Sequence, residues 1–185
     1  MSQGPTTARR AGAGALVVAV AAGTLASVGL GVYGRLHEPS FFALNLAGFS
    51  SGTAAKAWLG SGAFLLAVVQ LLSAMAMYGR LGGLAGRPWV GVLHRWSGRV
   101  AVLLTVPVAV HCLYALGYQS GSARVLVHSA AGCFFYGAFV AKMLVVNRPG
   151  PRWALPVLGG LVFTGLTAVW LTSSAWFFGT TGITF

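Results

Sequence analysis

Four histidines, His37, His94, His111 and His128, carry most of the metal-binding nitrogen in this chain. His111 and His128 are 17 residues apart, and the polar turn GYQSGSAR lies midway between them. Residues placed symmetrically about a helical hairpin sit at one depth to within about a turn, given a rise of about 1.5 Å per residue. Ionisable side chains inside a membrane are rare and mark function. Two neutral imidazoles at one depth on two helices suit axial ligation of a b-type haem, with apolar spans shielding the porphyrin. Ala131 and Gly132, one turn below His128, are small enough to let a flat ring approach the backbone. The expectation is one haem b held by His111 and His128, set against the plainer reading that each histidine bonds a neighbouring helix.

His94 fits that pair poorly. It precedes His111 by 17 residues, so on a straight helix the two rings point about 100° apart and lie roughly 25 Å apart along the axis. Pro107 lies between them and can kink the span. His94 is read as an interfacial residue beside Trp96, as a ligand of a second, inner haem, or as contacting haem propionates through Arg95 and Arg99. Met75, Met77 and Met143 reach that depth and are better read as core filler. His37, beside Glu38 just past the first apolar run, is read as a solvated loop residue, a replacement ligand or a proton relay above the site.

The elements that must position these residues are set by composition. Hydrophobic residues make up 57% of the 185 and charged residues only 7%, against about 25% charged in ordinary globular chains. Apolar segments fall at about 12–33, 57–78, 100–118, 125–146 and 153–178, each long enough to cross a hydrocarbon core about 30 Å thick as a helix. The fold class is therefore all-α, an integral membrane bundle of about five transmembrane helices in one domain. The first segment follows Arg9 and Arg10 but is longer than a signal-peptide core, so it is read as a retained span. The short turn between the third and fourth segments predicts that they pack side by side as an antiparallel hairpin.

Orientation follows from the cations. With the N-terminus inside, Arg9, Arg10, Arg80, Arg87, Arg95, Arg99, Lys142, Arg148 and Arg152 fall on the inner side, and Arg35, Lys56 and Arg124 outside. That bias places the chain in the plasma membrane with a cytoplasmic N-terminus and an external C-terminus, and His111 and His128 in the outer half. The net charge of +11 thus marks topology, with no interleaved basic and aromatic stripe for nucleic acid. The single acidic residue, Glu38, lies in a predicted loop, which argues against transport coupled through intramembrane carboxylates. Cys112 and Cys133 form no CxxC or CxxCH pattern, so covalent haem attachment and a zinc ribbon are excluded. The long connection at about 35–56, with the pair Phe41–Phe42, suggests a lid or a short interfacial helix.

HRWSGRVAVLLTVPVAVH followed by VLVHSAAGCFFYGAFVAKM resembles the transmembrane b-type cytochromes grouped with cytochrome b561 and the ferric reductases, and also a family of small actinobacterial membrane proteins. The resemblance covers about residues 90–147. It implies haem binding and electron transfer, with His94, His111 and His128 as the haem-associated residues. The fifth span lacks a histidine, which favours one haem over two. No nicotinamide or flavin fingerprint is present, so electrons would have to come from and leave to a redox partner protein or a quinone. The competing expectation is a structural or assembly subunit of a larger membrane complex without its own cofactor. Gln70, Ser73 and the hydroxyls Thr164, Thr167, Thr172, Ser173 and Ser174 are read as interhelical hydrogen-bonders.

Overall fold

The computed structural model describes residues 5–41, 48–148 and 150–185, and the backbone alone for residues 5–11. Phe42, in the proposed lid, lies outside the described residues with the rest of 42–47, as do the side chains of Arg9 and Arg10. The chain is all-helical. Helix α1 runs Pro5–Leu36, α2 Gly52–Met77, α3 Pro88–Val110, α4 Ala123–Val145 and α5 Ala154–Trp170. Helix α3 continues through a π-helical turn, His111–Leu116, and α5 through a second one, Leu171–Ala175, to a last turn Trp176–Thr181.

Among the described residues, five helices are long and apolar enough to cross a membrane. Only 11% to 28% of the residues in each helix's most apolar window are buried within the protein. Side chains such as Val17, Leu25, Leu65 and Leu103 point outward. An apolar surface of that extent requires hydrocarbon around it. This is a membrane protein, in contact with lipid.

Local sequence sets the helix limits. The Ser51 and Ser122 hydroxyls cap α2 and α4, accepting from Ala54 N at 3.1 Å and Val125 N at 3.3 Å. Gly117, at φ 70°, stops the third helical run. Pro88 opens α3 at a position where a missing N–H costs nothing. Helix α3 therefore begins twelve residues before the predicted Val100, and HRWSGR is helical. Its arginines interrupt the apolar run without interrupting the helix, because Arg95 and Arg99 point outward.

Tight crossings build the bundle. A Cβ on Gly23 would lie 2.5 Å from Gly137 O, and one on Gly137 would lie 2.5 Å from Gly23 O, so α1 and α4 meet backbone to backbone. Gly165 lets α5 approach Phe134 and Phe135 of α4. Phe64 stacks on Trp170 at 4.4 Å and the Trp170 indole donates to Ser61 Oγ at 3.0 Å, joining α2 to α5. Gly62 receives Leu104 between α2 and α3.

The predicted side-by-side packing of the third and fourth spans does not occur. Helix α3 packs along α2, while α4 packs against α1 and α5. Between α3 and α4 lies a cavity that keeps them apart. Below, "upper" denotes the end with the α3–α4 turn and the start of α2, and "lower" the opposite end.

Candidate functional site

The cavity occupies about 310 Å³ and is walled by α2, α3, α4 and α5. Its surface is mostly apolar and small, with Ala57, Gly60, Ala109 and Gly132 among the wall residues. A Cβ on Gly132 would meet nothing within 4 Å, so this face of α4 is open toward the space. The groups able to do chemistry are His128, Lys56, Arg124, Cys112, Cys133 and Tyr136. The Tyr136 hydroxyl donates to Thr105 Oγ1 at 3.0 Å, and Thr105 passes its own proton to Val102 O at 2.8 Å. This pair spans from α4 to α3.

His128 is held in a defined state. Thr172 Oγ1 donates its one proton to the backbone, to Ala168 O at 2.6 Å. It can therefore only accept from His128 Nδ1, 3.2 Å away. In the neutral imidazole this puts the proton on Nδ1 and leaves the lone pair on Nε2. An imidazole whose Nδ1–H is fixed by a neighbour has the orientation and basicity of a metal ligand. Thr172 lies in the π-helical turn of α5, where carbonyls lose their regular partners; its own carbonyl accepts from Arg124 Nη1 at 2.6 Å. One residue thus orients both His128 and Arg124.

His111 does not line the cavity. It is buried, and it lies two turns beyond Leu104, which packs on Gly62 of α2. Its neighbour Cys112 lies on the cavity wall. His111 begins the π-helical turn four residues after Pro107, whose missing N–H breaks a rung of the ladder. Lys56 shares the cavity wall with Cys112 and His128.

His94 and His37 bond elsewhere. His94 Nδ1 meets Ser73 Oγ at 2.9 Å, and Ser73 passes its proton to Val69 O at 2.6 Å, so His94 donates. Gln70 Nε2 donates to His94 O and to Ser97 Oγ, the latter at 2.8 Å. These four side chains form an interhelical clasp between the lower halves of α2 and α3. His37 Nε2 donates to Tyr114 O at 3.1 Å, and its ring lies between Tyr33 at 5.0 Å and Tyr114 at 4.7 Å. It pins the upper end of α1 to the end of α3 rather than sitting free in solvent. Among the described residues no three His, Cys, Asp or Glu side chains converge as a metal cage.

Sequence reasoning passed over Lys56, Arg124 and Tyr136 as site residues. The first two had been assigned to topology alone, and Thr172 was one hydroxyl among several on its span. Their common signal is a polar group within an apolar span or at its end, on α2, α4 and α5.

The model of one family matches residues 16–185: the family of unknown function DUF6529. No curated protein and no solved structure matches the chain. The comparisons show no similarity to cytochrome b561. The chain belongs to the family of unknown function DUF6529.

Proposed function

We propose that this member of the family is a membrane b-type cytochrome-like subunit that carries a haem in the cavity between α3 and α4. The observation that supports it is His128: a neutral imidazole with its Nδ1 proton fixed by Thr172, on the wall of an apolar cavity. The donor set fits the group. His128 would hold the iron through Nε2, the open face at Gly132 admits a flat ring, and the apolar walls exclude water. A haem bound there would supply one-electron chemistry. His111 completes the bis-histidine pair of this reading only after its π-helical turn re-registers, since it is not on the cavity wall. His94 and His37 are positioning residues that hold helices together, so a second haem is not part of the proposal.

The excess of Arg and Lys on lower segments supports a reading in which this end faces the cytoplasm and the cavity lies in the outer half of the plasma membrane. A partner protein or quinone would exchange electrons with the subunit. Hemin titration of the purified chain tests the reading: a 1:1 change in the visible spectrum that His128→Ala abolishes supports it, and an unchanged spectrum sinks it. A second reading, a structural subunit of a larger complex, is favoured by the clasp at His94, which joins α2 to α3 without a cofactor. Absence of hemin binding together with co-purification of a stoichiometric membrane partner would establish it.

A further inference from the structure

The cavity carries two cations and no acid. Lys56 lies on its α2 wall and Arg124 on its α4 wall, both at the upper end. The whole chain has one acidic residue, Glu38, which is exposed beyond α1. No carboxylate of the protein therefore lines the cavity, and a cation in a low-dielectric site without a counter-ion is costly. Arg124 is also fixed in place, with Nη1 on Thr172 O at 2.6 Å and its guanidinium 3.8 Å from the Trp176 ring centroid. Both contacts hold the charge and neither neutralises it. Lys56 has a flexible stem and shares the cavity wall with His128 and Cys112.

We infer that Lys56 and Arg124 form a carboxylate-binding site at the upper mouth of the cavity, so that the ligand is an amphipathic acid bound with its apolar body inward and its carboxylate between the two cations. The inference deepens the proposed function: for a haem, the carboxylates would be the propionates, pointing toward the upper surface. The same chemistry would serve a long-chain fatty acid, and the two sources separate by experiment. Charge-assisted bonds from a guanidinium or an ammonium to a carboxylate are the strong ones, and they are lost when the acid is esterified.

The test uses the full chain in detergent micelles and reads quenching of Trp170 and Trp176, both of which line the cavity. The probes are hemin, hemin dimethyl ester, a spin-labelled stearic acid and its methyl ester. Hemin is expected to bind at least about tenfold more tightly than its diester, and Lys56→Gln to remove about tenfold of that preference. Lys56→Arg should restore it. Arg124→Gln should act alike, but it also cuts a bond to α5, so the Lys56 variants carry the decision. Equal binding of hemin and its diester to the wild type overturns the inference while leaving the haem reading standing. If neither porphyrin binds, the haem reading fails, and the stearate pair decides: a preference for the acid that Lys56→Gln abolishes upholds the site, and no preference overturns it.

Discussion

Gly137→Ala adds a single methyl group at the crossing of α1 and α4. The new Cβ would lie 2.5 Å from Gly23 O and 2.7 Å from Ser27 Cβ, where ordinary contact begins at 3.4 Å. Neither obstacle is the tip of a flexible chain, so the helices must part by roughly 1 Å, which also stretches the close backbone contacts across the crossing. Overpacking of this kind costs about 1–3 kcal/mol. For a chain of this size that corresponds to a fall of roughly 3–10 °C in melting temperature. Gly132→Ala is the matched control on the same helix: its Cβ meets nothing within 4 Å, and alanine is the better helix former by about 1 kcal/mol. A thermal ramp in detergent with a thiol-reactive fluorophore measures both, since Cys133 is buried and Cys112 half-buried, both as free thiols. Gly137→Ala should melt several degrees low and Gly132→Ala at or above wild type. Equal melting of the two variants would refute the backbone-contact crossing.

Three further outcomes follow from the site. Thr172→Val removes the acceptor for His128 Nδ1 at nearly constant volume and should weaken hemin binding about 10- to 100-fold, while Thr172→Ser retains it; equal affinity of the two would mean that Thr172 does not orient His128. Gln70→Leu breaks the clasp to Ser97 and the His94 carbonyl and should cost about 1 kcal/mol in the same thermal assay, with hemin affinity unchanged. Loss of hemin binding in that variant would place the ligand at the lower end instead. His37→Ala should leave the hemin titration unchanged, because His37 bonds Tyr114 O away from the cavity; a lost spectrum would make it a ligand.

The helical class and the five apolar runs were legible because hydropathy over some twenty residues depends only on sequence. The start of α3 was not, since an apolarity scan stops at charge while a helix stops at its caps: Arg95 and Arg99 look like a loop and Pro88 is the true boundary. Spacing alone could not say which histidine lines the cavity: His128 does and His111 does not. That depends on the π-helical turn at His111–Leu116 and on which helix α3 chooses as a neighbour, and both are set by long-range packing. Thr172 and His128 are 44 residues apart, and nothing local announces their bond. Lys56 and Arg124 were visible as cations, but their service to a cavity required knowing that α3 and α4 stand apart.

The central claim is that His128 holds a haem in that cavity, and the visible spectrum of the full chain, purified from cells supplied with haem precursor, tests it most directly. A Soret band is expected and, on reduction with dithionite, sharpened longer-wavelength bands, all lost in His128→Ala and kept in His37→Ala. A colourless wild-type protein, or bands that survive His128→Ala, would contradict it.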